Sequence, residues 1–354
     1  MTTSERVLSV TVPDHPPVAG LLFRHATPAD WDAMADVINR ARRADNIAEV
    51  RTGPDLADDF PPSDHFEVGR DVLLAEVDGA VVGFAIGHRL LRDGVLVGET
   101  QGDLIPEHRR RGIGTSLWRA TTGRLTVELA ADPRPGPREL RCYCLDVETG
   151  DQALLDAMGY VPIRFGFEMC RYLTGVLPVH PVPDGLVIRT ANESEYHAIF
   201  EADNEAFEDH WGHRAKTDAD YQTRFYGADM DPSMFVAAWD GAEVAGVVMN
   251  AIFAGENEAL GCRRGWLEHV SVRRAWRGRG VAKALCASSF RLLRERGMDE
   301  AWLGVDGSNP TGALQLYNGL GFHVVRRWQA YGRPVDRPAP AGWHSAADDP
   351  RPVT

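Results

Sequence analysis

The stretch Arg273-Arg274-Ala275-Trp276-Arg277-Gly278-Arg279-Gly280-Val281-Ala282 decides how this chain reads. It follows a strand-like run, Trp266-Leu267-Glu268-His269-Val270-Ser271-Val272. It opens a helix-like run over 281–296, with apolar Val281, Ala284, Leu285, Phe290, Leu292 and Leu293, and Gly297 placed as a C-terminal cap. Glycines at a strand-to-helix turn suit an anion. Without side chains at Gly278 and Gly280, a ligand approaches the backbone closely. Successive N–H groups at a helix N-terminus present partial positive charge to it.

The chain contains this stretch twice. His108-Arg109-Arg110-Arg111-Gly112-Ile113-Gly114-Thr115 follows an apolar run ending in Leu104-Ile105 and opens an amphipathic helix through Ile113, Leu117, Trp118 and Leu125. The repeat reaches further. Gly20-Leu21-Leu22-Phe23-Arg24 before Thr27-Pro28-Ala29-Asp30-Trp31 matches Gly185-Leu186-Val187-Ile188-Arg189 before Asn192-Glu193-Ser194-Glu195-Tyr196, a short strand, a polar cap and a helix in each case. Asp78-Gly79 and Asp240-Gly241 each separate two β-rich runs, a strong hairpin signal. After each glycine-turn helix come a strand (139–145 and 300–305), a short helix ending in Gly159-Tyr160 or Gly321-Phe322, and a last strand (161–171 and 323–330).

Each half therefore reads β-α-α-β-β-β-α-β-α-β. This is an α+β class, with a mixed, mostly antiparallel twisted sheet flanked by helices. The expected domains are 1–178 and 179–354, joined by a proline-rich linker over 178–185, with an irregular tail from about 334.

Composition narrows the function. A length of 354 residues suits two domains, and a 44% apolar share suits packed cores. No apolar run is long enough to span a bilayer, and the N-terminus lacks a basic-then-apolar signal. Five cysteines without metal-binding spacing, and no export signal, imply reduced thiols in a cytoplasmic protein that carries no metal. The net charge of −13, with neither half basic, argues against nucleic acid as a partner. An internal duplication fits either a monomer that is its own pseudo-dimer or a homodimer.

Arg277-x-x-Gly280-x-Ala282 and Arg109-x-x-Gly112-x-Gly114, in this order of elements, resemble the GNAT superfamily of N-acetyltransferases. The tandem arrangement resembles the mycothiol synthase-like acetyltransferases. The resemblance implies acetyl-coenzyme A as cosubstrate, with its pyrophosphate on Arg277, Gly278, Arg279, Gly280, Val281 and Ala282. In the first copy the same role falls to Arg109, Arg110, Arg111, Gly112, Gly114 and Thr115. Backbone groups of Val270, Ser271 and Val272 would pair with the pantetheine arm.

Acetyl transfer to an amine needs a base for the ammonium, a stabilised oxyanion and a proton for the departing thiolate. Glu268 lies on the strand entering the second turn and shares strand parity with Val270 and Val272. Its setting resembles that of the base of spermidine/spermine acetyltransferases. His269 has the opposite parity. The segment from Asn309 to Phe322 resembles the superfamily's Asn…Ala-x-x-Leu-Tyr-x-x-x-Gly-Phe pattern. It implies Tyr317 as general acid and Asn309 as a contact to the coenzyme arm. In the first copy Thr100 and Leu155 stand opposite Glu268 and Tyr317, which makes that copy catalytically degenerate.

The acidic and aromatic run over 201–213 is the expected roof of the pocket, with Asp209, His210 and Trp211 facing a small-molecule amine. The alternatives are a peptide or protein amine as acceptor, or a non-catalytic protein that senses acetyl-coenzyme A.

Overall fold

A computed structural model describes residues 10–63, 65–92, 94–208, 210–211, 216–227, 230–308 and 312–335. They fall into two compact units. The first runs to Arg164 and resumes at Gln329; the second spans Phe165–Trp328.

The first unit contains β1 (Leu21–His25), α1 (Trp31–Ala44), α2 (Gly53–Asp59), α3 (Val68–Asp71), β2 (Val72–Val77), β3 (Ala80–Arg92), β4 (Val95–Leu104), α4 (Ile113–Ala131), β5 (Arg138–Leu145), α5 (Thr149–Ala157) and the start of β6 (Val161–Tyr172). Strands β1 to β4 form an antiparallel meander, and β5 joins β4 in parallel. The Asp78-Gly79 hairpin is a two-residue loop with both residues at positive φ, which matches the twist of its strands.

The second unit contains the rest of β6, then β7 (Leu186–Thr190), α6 (Tyr196–Phe207), α7 (Asp218–Tyr226), β8 (Val236–Asp240), β9 (Glu243–Ala251), α8 (Ala254–Leu260), β10 (Arg264–Val272), α9 (Val281–Glu295), β11 (Glu300–Asp306), α10 (Ala313–Gly319) and the start of β12 (His323–Pro334). Strands β7 to β10 are antiparallel, β11 lies parallel to β10, and β6 lies antiparallel to β11. One core packs α9 on the sheet through Leu285, Phe290 and Leu293, and the other packs α6 through Ile199, Phe200 and Phe235. Among the described residues no helix is long and apolar enough to cross a membrane.

The repeat and the α+β class match the sequence pattern, with the short helices α3 and α8 added. Gly297, at φ 85, ends α9 as its position implied. The boundaries differ. The units divide within β6 and β12, not at the proline-rich 178–185 segment. The reason is strand pairing. Gly166 to Tyr172 pair with Asp306 to Glu300 of β11. Phe165, Phe167, Met169, Leu173 and Leu177 then enter the second unit's core. Conversely, Tyr331 and Val335 enter a core of the first unit with Leu96, Leu125 and Leu140, and the Val335 N–H donates to the Arg138 carbonyl at 3.0 Å. Each copy's last strand thus divides between the two units.

Tyr331→Ala is therefore expected to destabilise the first unit, although Tyr331 belongs to the second copy in sequence. Loss of a buried aromatic costs about 3–5 kcal/mol. Urea denaturation, with hydrogen exchange of α4 as the local readout, checks this. Exchange in α4 unchanged from the parent protein would refute it.

Candidate active site

The second unit is opened by a parting of two strands. β10 and β11 pair only from Arg264/Glu300 to Trp266/Trp302. The two indoles meet at that last pair, with ring centroids 5.7 Å apart. Beyond it β10 stays with β9 and β11 stays with β6. The gap between them is a cavity of about 760 Å³, walled by Leu267, Glu268, Val270, Ser271 and Val272 of β10 and by Gly304, Val305 and Asp306 of β11. Ala206, Phe207 and His210 close one side, Ala313, Leu316 and Tyr317 of α10 another, and the glycine turn forms its floor through Arg277, Gly278, Gly280, Val281, Ala282 and Lys283.

The turn is held open by its backbone. Gly278 and Gly280 have φ of 75 and 86, and an added Cβ at either would meet nothing within 4 Å. Glycine is favoured there by the left-handed conformation, and no side chain fills the space beside the turn. Arg277 braces the turn, donating to the Val272 carbonyl and, across the cavity mouth, to the Ala206 carbonyl, both at 2.9 Å. Trp276 donates to Asp240 at 3.0 Å and ties the turn to the β8–β9 hairpin.

Glu268 reaches the cavity by a route that parity did not anticipate. The β9–β10 register slips between Leu267 and His269, so Glu268 is the extra residue of a β-bulge. The slip moves Leu267 to the α9 face with Val270 and Val272, and leaves Glu268 as the inserted residue. Glu268 is exposed to the open cavity; partial desolvation by the protein packed around that cavity pushes its carboxyl pKa up, and His269 and Arg224 pull in the other direction.

Tyr317 is buried in the α9-side core and stands edge-on to Phe322 at 5.8 Å while lining the cavity. Burial, with Cys286 nearby, pushes its phenol pKa up, so it keeps its proton across the neutral range. The Cys286 thiol is fully buried, and burial pushes it up to about 12. His210 packs against Phe207 at 4.3 Å, and burial pulls its pKa down.

Of the expected site residues, Glu268, Val270, Ser271, Val272, Arg277, Gly278, Gly280, Val281, Ala282, Tyr317 and His210 converge on this cavity. Arg279 and Trp211 are not among the described residues that line it. Asn309 and Asp209 lie outside the described residues. The acidic roof is corrected. Helix periodicity turns Glu201, Glu205 and Glu208 onto a separate surface depression with Glu243 and Arg273. Among the described residues the cavity's own acids are Glu268 and Asp306. Sequence reasoning missed Asp306 and Lys283; their places at the end of β11 and in the first turn of α9 were the available signal.

The first copy builds the same turn differently. Gly112 is left-handed at φ 87, but the place of Gly278 is held by Arg110 at φ 60. An added Cβ at Gly112 would lie 3.1 Å from Pro16, and Gly114 faces Leu104. Arg109 is clamped by both carboxylate oxygens of Asp45, at 2.7 and 2.8 Å, and Arg111 contacts His108. Thr115 is half-buried in the first turn of α4. The β3–β4 register has no slip, so no bulge presents a residue as Glu268 is presented. Thr100 is buried, and Leu155 packs into the core. Asp103 and Asp151, opposite the cavity residues Ser271 and Ala313, have pKa values pushed up to about 6 and about 7. Burial comes first among the causes, and neighbouring carboxylates add to it.

A profile of the Acetyltransferase (GNAT) family matches residues 196–322. The mycothiol acetyltransferase of Salinispora tropica is 32% identical over 232 residues, 64% of this chain and 69% of that protein. The mycothiol acetyltransferase of Salinispora arenicola is 29% identical over 310 residues, 85% of this chain and 92% of that one. A GCN5-related N-acetyltransferase from Sphaerobacter thermophilus superimposes with a TM-score of 0.71 at 26% identity, covering 93% of this chain and 98% of that one. The chain belongs to the GNAT family of acetyltransferases, in the tandem form that carries the fold twice. It is an N-acetyltransferase, and GNAT acetyltransferases draw their acetyl group from acetyl-coenzyme A.

Gly280→Val tests the cradle. A left-handed L-residue costs about 1–2 kcal/mol, and the new side chain fills the anion's space. Calorimetric titration with coenzyme A is expected to show loss of binding while the circular dichroism spectrum is kept. Retained affinity would remove the turn from the binding site.

Proposed function

We propose that the second unit transfers acetyl from acetyl-coenzyme A to a primary amine of a small molecule by direct attack. Glu268 is the base and Tyr317 the acid. The observation that carries this reading is the convergence of both on one cavity with the open glycine turn.

In this reading Gly278, Gly280, Val281 and Ala282 cradle the pyrophosphate. The strand edges freed where β10 and β11 part take the pantetheine arm, and an N–H on β10 polarises the thioester carbonyl. Glu268, ionised, takes a proton from the ammonium directly or through water. The amine nitrogen attacks the carbonyl carbon, and the C–S bond breaks as Tyr317 gives its proton to the sulfur; the proton that the nitrogen sheds on becoming an amide returns to Tyr317 through water, and Glu268 releases its own to solvent. Its high pKa suits an acid that must arrive protonated. Cys286, buried and held as a thiol, supports attack without an acyl-enzyme. Phe207 and His210 form the acceptor's wall, and Glu268 and Asp306 present carboxylates to its ammonium. The similarity to mycothiol acetyltransferases favours an amine on a sugar- or amino-acid-like acceptor over a protein amine.

The first unit serves as scaffold in this reading. Carboxylates at Asp103 and Asp151 and the Asp45 clamp on Arg109 disfavour an anionic coenzyme. Equilibrium titration is expected to give one coenzyme A per chain; two equivalent sites would overturn this.

Glu268→Gln and Tyr317→Phe are each expected to lower kcat on the order of 10²–10⁴-fold with little change in coenzyme affinity. Because Glu268 must be ionised and its pKa is raised, kcat/KM is full above that pKa and falls as pH drops through it. Thiol release measured over an amine panel checks this. Turnover unchanged in either variant removes that residue from the mechanism.

A further inference from the structure

Behind the wall that carries Glu268 lies a half-buried charged cluster, built on one buried carboxylate, that the transfer chemistry does not use. Asp203 on α6 is fully buried. One of its carboxylate oxygens, Oδ2, accepts from both Lys216 Nζ and His269 Nδ1, the latter at 2.8 Å. Its other oxygen has no partner among the described residues. On the far side of the imidazole, Arg224 Nη2 of α7 lies 3.0 Å from Nε2. A carboxylate only accepts and a guanidinium only donates, so these partners fit a neutral imidazole with its proton on Nδ1. Phe207, which lines the cavity, packs on the same ring at 5.0 Å.

Such a cluster is costly to bury, and its position gives the reason to keep it. His269 is the residue immediately after the bulge. A bulge leaves its extra residue outside the ladder, free to take more than one direction. Here both nitrogens of the next side chain are pinned, from two helices, on the face opposite α9. The cluster also holds two cations, Lys216 and Arg224, against one carboxylate.

We propose that Asp203 and Arg224, acting through His269, are positioning residues for Glu268: they lock the bulge so that its carboxylate points into the cavity, and Arg224 keeps that carboxylate charged. The inference rests on Glu268 being the base. The downward pull of Arg224 on Glu268, which a neutral imidazole leaves in place, agrees with it. Among the described residues, the other charged or titratable groups on the cavity and its back wall are Lys216, His210, Asp306, Arg277, Lys283 and Tyr317, with Asp203 itself.

The test compares pH profiles of kcat/KM for the parent, Arg224→Met, Arg224→Lys, Asp203→Asn and Glu268→Gln. In Arg224→Met a cation is lost, so the acid limb is expected to move to higher pH; Arg224→Lys restores it. In Asp203→Asn the imidazole loses its acceptor. A drop in kcat of about 10²-fold is expected, with KM for acetyl-coenzyme A near the parent's and no upward move of the acid limb. An acid limb unmoved in Arg224→Met overturns the electrostatic half. Loss of coenzyme affinity in step with kcat in Asp203→Asn, or unchanged kcat, overturns the positioning half. If Asp203→Asn fails to fold, ¹⁵N spectra of His269 in the parent decide the positioning half: an Nδ1–H tautomer supports it, and an Nε2–H tautomer overturns it. Full activity in Glu268→Gln would sink the base assignment instead, so the two failures are distinguishable.

Discussion

Everything at the site depends on two neighbouring strands that stop pairing. A parallel pair of buried strands normally satisfies its backbone along its whole length. β10 and β11 instead separate after Trp266 and Trp302, because each follows another partner, β9 on one side and β6 on the other. The separation makes the cavity and frees backbone groups to face a ligand. It also aims α9 and α10 at the same space, since each helix is tied to one of the parted strands by a short connection. The bulge at Glu268 sits just past the point of separation, where an unpaired residue is tolerated because β10 has already lost one neighbour.

The comparison of the two copies shows how little of the chemistry belongs to the fold. β4 and β5 part beyond Glu99 and Arg141 just as β10 and β11 do, and the turn that follows is again closed by a left-handed glycine. Yet the first copy has an unslipped register, a buried Thr100, a core Leu155 and carboxylates at the places of Ser271 and Ala313. A shared architecture leaves such positions free to vary, because packing is set by the helix and strand faces and not by the cleft. The copy without the side chains keeps the shape.

Charge is distributed with the same logic. Glu268 is exposed on the cavity wall, yet the protein packed around the cavity works against a charged carboxylate, while Arg224 acts in the opposite sense. Tyr317 has no such compensation; burial, with Cys286 acting in the same direction, keeps it protonated. In the proposed reading, Glu268 as an ionised base and Tyr317 as a protonated acid are the two states that acetyl transfer requires at the start of a cycle.

The sequence by itself determined the duplication, the α+β class, the hairpins, the two glycine turns and most residues that line the cavity. These are local signals: hydrophobic period, turn chemistry at Asp78-Gly79, and glycines between a strand and a helix. It also marked Glu268 and Tyr317, because their spacing from the turn follows the chain. Only the tertiary structure decided the rest. Which unit Phe167 or Tyr331 belongs to is a matter of strand pairing across long separations. The slip at Glu268 depends on the register against β9, which periodicity in one strand does not reveal. Glu201 and Glu205 of α6 turn outward because Ala202, Asp203 and Ala206 face in. The partners of His269 come from residues 203 and 224, far from it in the chain, and the sequence holds no local trace of a contact formed between separate helices and a strand.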